Sequence, residues 1–187
     1  MNSPQSSSLQ TAAFAGGCFW CTEAVFERLK GVIKVVSGYA GGQKAKPTYE
    51  EVSSGSTQHA EAVQVTFDPS IITYSQLLEV FWAVHDPTTL NRQGADVGTQ
   101  YRSAIFYENE EQQKLALASK AEHEKSGEYH SKIVTEIVPF TNFYTAEEYH
   151  QNYYDQHPEN PYCSVVIDPK VQKLLSKFGD LVKDEYR

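Results

Sequence analysis

Cysteine, positive charge and long apolar runs are all scarce in this sequence of 187 residues. Three cysteines are too few, and odd in number, for the disulfide framework of a secreted domain, so we expect free thiols in the reducing cytoplasm. A formal net charge of −8 disfavours a nucleic-acid surface. Because no apolar run is long enough to cross a bilayer, we expect no membrane partner.

Signals of several other protein classes are missing as well. The sequence has no internal repeat and no phosphate loop, since Gly38, Gly41 and Gly42 do not open a periodic helix. Residues 1–10 are rich in Ser and Gln without the charged and apolar regions of a signal peptide, so we predict a flexible tail there. With 40% apolar and 21% charged residues, 11–187 are predicted to form a single domain, which we expect to be monomeric.

The order of predicted elements indicates the fold class. Apolar spacing predicts helices over 20–29, 74–84, 109–124, 146–156 and 170–178, and strands over 11–15, 32–36, 59–67, 101–107 and 133–138. A glycine-rich bend is predicted at 37–42, a loop that could include a short helix at 43–58, and a loop at 88–100. We therefore predict an α+β fold: a two-layer α/β sandwich with a mixed, mainly antiparallel sheet, a ferredoxin-like core and a long coil-rich C-terminal segment.

Cys18 is the most reactive-looking residue of the chain. It follows Gly16 and Gly17 at the junction of the first predicted strand and helix. On the first turn of a helix, free backbone N–H groups and the helix dipole favour an anion, so we expect the thiol to be shifted towards the nucleophilic thiolate. A cysteine is otherwise commonly a small buried apolar residue. The glycine pair and the helix start favour the nucleophile.

Four short motifs occur in one characteristic order. They are Gly17-Cys18-Phe19-Trp20, Ser37-Gly38-Tyr39-Ala40-Gly41-Gly42, His59-Ala60-Glu61 and Asp96-Val97-Gly98-Thr99-Gln100-Tyr101-Arg102-Ser103. Together they resemble the motifs of type A peptide methionine sulfoxide reductases, and the resemblance extends over nearly the whole chain. It implies an oxidoreductase that returns the S epimer of methionine sulfoxide, free or in proteins, to methionine, as a repair of oxidative damage.

The resemblance assigns the chemical step to four side chains. Cys18 would attack the sulfoxide sulfur while Glu61 protonates the oxygen, because the thiolate can displace the oxygen only as it gains a proton. An apolar setting would raise the pKa of Glu61 enough to keep that proton near neutral pH. Tyr49 and Tyr101 resemble the tyrosines that hydrogen-bond the sulfoxide oxygen.

Substrate binding is implied for three further residues. Phe19 and Trp20 would enclose the S-methyl group between aromatic faces, which selects one epimer. Asp96 matches a family position near the substrate backbone or the helix end, although an aspartate is also common in a loop turn. His59 and His150 lie beside motif residues, but we assign neither a catalytic role.

A second thiol is implied, because the cysteine sulfenic acid left on Cys18 condenses with a thiol to a disulfide. Cys163 resembles the resolving cysteine of many members, and we favour it because a flexible, proline-flanked tail could reach Cys18. Cys21 is the alternative, since it lies three residues after Cys18 on the same helix face. Thioredoxin, or dithiothreitol in vitro, would then reduce the disulfide, with no bound cofactor or metal.

The sequence departs from the family pattern at two places, and two other functions remain as alternatives. Residues 164–170 lack the glycine-rich stretch that surrounds the resolving cysteine in one branch of the family, and Gln58 stands where the family often has glycine, for which we expect a small loop adjustment. The first rival is a general thiol-disulfide oxidoreductase that uses Cys18 and Cys21. The second is a metal-binding module, which the missing second pair of close ligands disfavours.

Overall fold

The computed structural model describes residues 8–187 and contains eight strands and six α-helices in that range. The strands are β1 (Gln10–Gly16), β2 (Val32–Ala40), β3 (Ala60–Phe67), β4 (Arg92–Gln93), β5 (Asp96–Val97), β6 (Ser103–Tyr107), β7 (Glu136–Pro139) and β8 (Phe143–Thr145). The helices are α1 (Phe19–Glu27), α2 (Tyr49–Ser53), α3 (Tyr74–Val84), α4 (Glu110–Ser126), α5 (Tyr153–Gln156) and α6 (Asp168–Phe178). The tail predicted over 1–10 lies outside the described residues up to residue 7, and its last residue, Gln10, begins β1.

Six strands form one sheet in the order β7-β6-β1-β3-β2-β8, while β4 and β5 form a separate small hairpin. All neighbours in the large sheet are antiparallel except β6 and β7, which are parallel. The predicted α+β class with a mixed, mainly antiparallel sheet is therefore confirmed. Because β1 runs antiparallel to both β3 and β6, the end of β1 at Gly16 lies beside the starts of those two strands.

The main hydrophobic core lies between the large sheet and the helices. Phe14 of β1 stacks against Phe26 of α1 and Phe81 of α3, with ring centroids 5.1 Å and 5.3 Å away. Each fully buried aromatic ring contributes about 1.5–3 kcal/mol through the surface it removes from water. A second, alanine-rich core includes Ala13, Ala62 and Phe106. Within residues 8–187, no helix is both long and apolar enough to span a membrane.

Helix ends follow the capping signals of the sequence. Thr73 caps α3 by accepting a hydrogen bond from the Gln76 N–H at 3.2 Å, and the Gln76 side chain in turn accepts from the Thr73 N–H. Gly127 ends α4 in the left-handed conformation, as predicted. Gln58 has φ of 60°, a value that glycine adopts at little cost, which explains why glycine suits this position.

The glycine-rich bend predicted at 37–42 is wrong over most of its length, because β2 continues to Ala40. Gly38 serves close packing there instead of a turn. A Cβ atom at Gly38 would lie 2.4 Å from the Phe143 ring and 2.6 Å from the Tyr144 carbonyl oxygen of β8. The strand β8 was not predicted, since its three residues carry too short a pattern.

The chain beyond β8 also differs from prediction. The helix predicted over 146–156 is two short turns, Glu148–His150 and α5, separated at Asn152, whose φ of 50° is incompatible with an α-helix. The C-terminal segment predicted to be coil-rich contains more helix than expected, since a π-helical turn at Cys163–Ile167 runs directly into α6, which matches the helix predicted over 170–178. Pro169 is the second residue of α6, directly after the π-helical turn.

Arg28 joins α1 to the C-terminal part of the chain. Its guanidinium donates to the Ala24 carbonyl at 2.8 Å and forms an ion pair with Asp155. The same group lies over the rings of Tyr154 and Tyr186, 4.9 Å and 4.5 Å from their centroids. Arg28 is buried, so its partners depend on it for both charge and packing.

We expect Arg28→Met to lower the free energy of unfolding by about 2 kcal/mol, because Asp155 and two aromatic rings lose a buried cation. Urea unfolding monitored by circular dichroism measures this value. Lys30→Met is the matched control, since the Lys30–Asp184 pair is exposed and its loss should cost less than about 0.5 kcal/mol. Equal losses in the two variants would contradict this account of Arg28.

Candidate active site

A cavity of about 160 Å³ lies at the end of the large sheet where β1 ends and β3 begins. Its walls are Cys18, Phe19, Trp20, Tyr49, Glu61, Asp96, Tyr101 and Tyr162. The first seven of these are the side chains to which the sequence assigned a chemical or substrate-binding role. Residues that are far apart in the chain therefore meet around one small cavity.

Cys18 is the residue immediately before α1, where it acts as N-cap, and not on the first helical turn as predicted. Gly17 makes this turn possible: its φ is 95°, and a Cβ atom there would lie 2.6 Å from the Gln93 side chain. Cys18 is 8% exposed. Burial, the Cys21 thiol and the charge of Glu61 raise the pKa of the Cys18 thiol, so the predicted shift towards thiolate is wrong for this thiol.

The thiols of Cys18 and Cys21 form a hydrogen-bonded pair. Because Cys18 donates to Cys21, the pKa of the Cys21 thiol falls to about 7, although burial opposes this. Lys170 and the Tyr162 hydroxyl also lower it, and Asp96 raises it. One proton of the pair is therefore lost near neutral pH, and the resulting charge is stabilised by the neighbouring sulfur.

Glu61 lies on β3 and is only 2% exposed. Its Oε2 accepts a hydrogen bond from the Phe19 N–H in the first turn of α1, at 3.0 Å. The pKa of Glu61 is raised to about 8, mainly by burial and also by the charges of Asp96 and Cys21, while the Phe19 hydrogen bond opposes the shift. The carboxyl group is therefore mostly protonated at neutral pH, which agrees with the direction expected from the sequence.

Tyr49 and Tyr101 approach the cavity from two different elements. Tyr49 is the first residue of α2, and Tyr101 ends the 3₁₀ turn Thr99–Tyr101 that precedes β6. Burial is the main cause that raises the pKa of both phenols above the ordinary value. Both hydroxyl groups stay protonated at physiological pH, so each can donate a hydrogen bond into the cavity.

The Trp20 ring is held from three sides. Tyr153 stacks on it with centroids 3.6 Å apart and ring planes 5° apart, and Tyr162 meets it edge-on at 5.9 Å. Its indole N–H donates to His150 Nδ1 at 3.2 Å. Burial lowers the pKa of His150, which keeps Nδ1 available as an acceptor. These contacts fix the ring as a rigid wall of the cavity.

The segment 146–153 wraps around the site in place of the predicted helix. Glu147 accepts a hydrogen bond from the Tyr39 hydroxyl at 2.6 Å and another from the Tyr49 N–H at 2.9 Å, so it fixes the start of α2. Gln151 pairs with the backbone N–H and carbonyl of Ser37, both at 2.9 Å. The contacts of Glu147 and Tyr153 with the site were not predicted; the density of tyrosine and histidine here was the available signal. His150 supports the Trp20 ring, in line with the absence of a catalytic role.

Tyr162 was also missed as a member of the site. Its hydroxyl donates to Asp96 Oδ2 at 2.6 Å and lies 3.9 Å from Cys21 Sγ. Asp96 is thereby held at the rim of the cavity. The sequence signal was weak, since Tyr162 is noticeable only as the residue before Cys163. His59 is structural, because its ring accepts from the Gly42 N–H at 3.0 Å, in line with the absence of a catalytic role.

A second cleft of about 270 Å³ lies on the other side of Tyr162 and Asp96. Cys18, Cys21, Val166 and Lys170 are among its walls. Cys163 opens the π-helical turn and is 1% exposed, so the flexible tail that was expected to carry it to Cys18 does not exist in this structure. Its thiol lies close enough to Cys21 for the charge of Cys21 to raise its pKa, an effect smaller than that of burial.

Both rival functions find little support in this geometry. Cys18 and Cys21 are buried, whereas a general thiol-disulfide oxidoreductase presents its attacking thiol to large partners. Among residues 8–187, no group of three or more His, Cys, Asp or Glu side chains lies close enough together to hold a metal ion.

Comparison with known proteins agrees with the site. The family model described as peptide methionine sulfoxide reductase matches residues 10–181. The chain is 57% identical over 173 residues to the peptide methionine sulfoxide reductase MsrA of Sulfolobus acidocaldarius, which covers 92% of this chain and 97% of that protein.

Two solved structures of yeast Mxr1 (Saccharomyces cerevisiae) are also similar. Reduced Mxr1 is 37% identical, with a TM-score of 0.79 over 87% of this chain and 92% of that chain. Mxr1 in complex with Trx2 is 29% identical, with a TM-score of 0.57 over 82% of this chain and 88% of that chain. The chain therefore belongs to the peptide methionine sulfoxide reductase family, in its type A (MsrA) branch.

Proposed function

We propose that this protein reduces methionine S-sulfoxide, free or in proteins, to methionine by thiol chemistry, and so repairs oxidised proteins. The observation that carries the proposal is the single cavity that brings together a buried thiol, a protonated carboxyl group, two phenol donors and an aromatic wall. Sulfoxide reduction needs these four parts at once, because the sulfur must be attacked while its oxygen is held and protonated.

Cys18 is the nucleophile and Glu61 the proton donor of the first step. The Cys18 thiol proton passes to its hydrogen-bond partner Cys21, and the Cys18 sulfur attacks the sulfoxide sulfur as the Glu61 proton passes to the oxygen. Tyr49 and Tyr101 donate hydrogen bonds to that oxygen. The oxygen is then transferred to Cys18, which becomes a sulfenic acid, and methionine leaves with its sulfur reduced. Atoms balance without any further oxidant or reductant.

The aromatic wall sets the stereochemical preference. Phe19 and Trp20 receive the S-methyl group, whose burial stabilises the bound epimer by about 0.8 kcal/mol per methyl-sized group. With the oxygen directed to the tyrosines and the methyl group to the rings, only the S epimer presents its sulfur to Cys18. Asp96, held by Tyr162, contacts the main-chain part of the substrate at the rim.

Cys21 resolves the sulfenic acid first, because its thiol already contacts Cys18 whereas Cys163 lies beyond Cys21. Attack by Cys21 on the Cys18 sulfur forms a disulfide and releases the oxygen as water. Cys163 then exchanges with Cys21 and carries the disulfide away from the cavity. This order differs from the preference for Cys163 as the direct resolving thiol, which depended on a flexible tail.

Thioredoxin returns the disulfide to thiols, and dithiothreitol replaces it in vitro. Support comes from yeast Mxr1, which has been solved in complex with Trx2. The chemistry is carried by cysteines, so the reaction as proposed requires neither a bound cofactor nor a metal.

The architecture and setting complete the proposal. With α2, β4 and β5 as insertions, the elements β1-α1-β2-β3-α3-β6, whose strands are ordered β6-β1-β3-β2, form a ferredoxin-like core within a single domain over residues 11–187. The family match over residues 10–181 supports one domain. We place the protein in the cytoplasm as a monomer, with methionine sulfoxide and thioredoxin as partners, in keeping with three free thiols.

The test is a single turnover without reductant. Fully reduced protein mixed with one equivalent of methionine S-sulfoxide should release about one methionine per chain and lose two free thiols, since one disulfide forms per turnover. Methionine should form from the R epimer at least about 100-fold more slowly, because misplaced reacting atoms lower the rate by a factor of that size. Chromatography of methionine and alkylation of thiols measure both quantities. Equal rates of methionine release from the two epimers would contradict the proposal. Disulfide exchange without any release of methionine would favour the rival function of a general thiol-disulfide oxidoreductase.

A further inference from the structure

Lys170 shares two cavities with Cys21. Both residues line the cleft of about 270 Å³ behind Tyr162, and both line a small void under α1 together with Thr22 and His85. Lys170 is half-buried in the first turn of α6, whereas Lys173, one turn further along, is exposed. Lys170 is not among the residues that line the substrate cavity, whereas its charge acts on the Cys21 thiol.

The other ionisable groups around Cys21 do not duplicate this cation. The groups that face it from the packed elements are Cys18, Glu61, His85, Asp96, Tyr162 and Cys163. Burial lowers the pKa of His85 to about 3, so His85 is neutral. The carboxyl, phenol and thiol groups are neutral or negative. Lys170 is therefore the cation among the described groups named as acting on Cys21; the charge of Lys173 reaches His85 but is not among the main influences on Cys21.

We propose that Lys170 keeps Cys21 reactive as the resolving thiol by holding negative charge on its sulfur while it attacks the Cys18 sulfenic acid. In this step the Cys21–Cys18 S–S bond forms and the Cys18 S–O bond breaks. The oxygen leaves as water with the thiol proton, so no external oxidant or reductant is needed. The inference rests on the proposed function, because it requires that sulfenic acid.

Oxidation of Cys18 is what makes Lys170 necessary. In the reduced protein, the hydrogen bond from the Cys18 thiol is the largest cause that favours the Cys21 thiolate. That thiol no longer exists once Cys18 has accepted the sulfoxide oxygen. The charge of Lys170 does not depend on Cys18 and persists through the resolving step. Lys170 acts through Cys21 and not on the substrate.

The experiment follows the loss of the Cys21 thiol after one turnover in the Cys163→Ser protein, where Cys21 is the remaining partner for Cys18. Rapid acid quench, alkylation and mass spectrometry give the rate between pH 5.5 and 9.5. In Lys170→Met, the midpoint of the pH profile should rise by about one unit. The rate below the midpoint should fall about threefold, since the more basic thiolate is partly compensated by greater nucleophilicity.

Two further variants make the result specific. Lys170→Arg should restore the midpoint, because the charge returns, and Lys173→Met should leave it unchanged. Identical profiles for Lys170→Met and Lys173→Met would overturn the inference. Retention of the Cys21 thiol in every variant would also overturn it. Methionine release in the same quenched samples tests the proposed function separately, since it precedes any reaction of Cys21.

Discussion

Replacing Cys18 with serine is expected to lower methionine formation from methionine S-sulfoxide, with dithiothreitol as reductant, by about 10⁴-fold or more. The hydroxyl group of serine ionises far above physiological pH and is a poor nucleophile towards sulfur. It also cannot accept the sulfoxide oxygen as a sulfenic acid does. Chromatographic detection of methionine, in both single and multiple turnovers, measures the loss.

The matched control is Cys163→Ser, the same chemical change at a buried thiol outside the substrate cavity. Its single-turnover release of methionine should stay close to that of the unchanged protein, because Cys18 and Glu61 are intact. Urea unfolding of both variants checks that neither result reflects a folding defect. Substantial activity in Cys18→Ser would remove Cys18 from the role of nucleophile.

Much of the site could be predicted because the family motifs lie at strand ends that antiparallel pairing must bring together. Cys18 lies two residues after the end of β1, and Glu61 is the second residue of β3. Tyr101 lies two residues before the start of β6. In an antiparallel sheet, the end of one strand lies beside the start of its neighbours. Alternation and helical spacing indicated most of these strands and helices, so the positions of the motifs followed.

The segment 146–153 could not be predicted from local pattern. Its composition resembles a helix, but its conformation is set by partners distant in sequence. Glu147 binds the Tyr49 N–H, 98 residues away, and His150 accepts from the indole of Trp20, 130 residues away. Such tertiary hydrogen bonds override helix propensity, which differs between ordinary residues by at most about 0.7 kcal/mol. Asn152 then breaks the helix with a left-handed backbone.

The predicted direction of the shift in the Cys18 pKa was wrong because burial has a larger effect than the helix N-terminus. A charge near an exposed helix N-terminus gains only about 0.3–1 kcal/mol. Complete burial can shift the pKa of a group by about 3–5 units, and each unit corresponds to about 1.4 kcal/mol. Desolvation therefore exceeds the helix effect in the closed cavity. The sequence shows where the helix begins but not how deeply the thiol is buried.

Replacing Glu61 with glutamine is expected to lower kcat/KM for methionine S-sulfoxide by about 10²–10⁴-fold, the usual contribution of a general acid. Glutamine keeps an acceptor for the Phe19 N–H but has no proton to transfer. The pH dependence of kcat/KM tests whether Glu61 acts as the acid. Because the pKa of Glu61 is raised to about 8, the acid form persists at neutral pH and its loss should reduce the rate above that value. The residual activity of Glu61→Gln should lack this descending limb.

The same raised pKa predicts an effect on stability that is independent of catalysis. Between the ordinary pKa of 4.5 and the folded value of about 8, folded Glu61 retains a proton that the unfolded chain has lost. Its contribution to stability is therefore complete below pH 4.5 and is lost as the pH rises to about 8. Urea unfolding at pH 5 and pH 8 should show a smaller difference in Glu61→Gln than in the unchanged protein. Reduced activity together with an unchanged pH difference in stability would mean that Glu61 is ionised in the fold, and would exclude it as the proton donor.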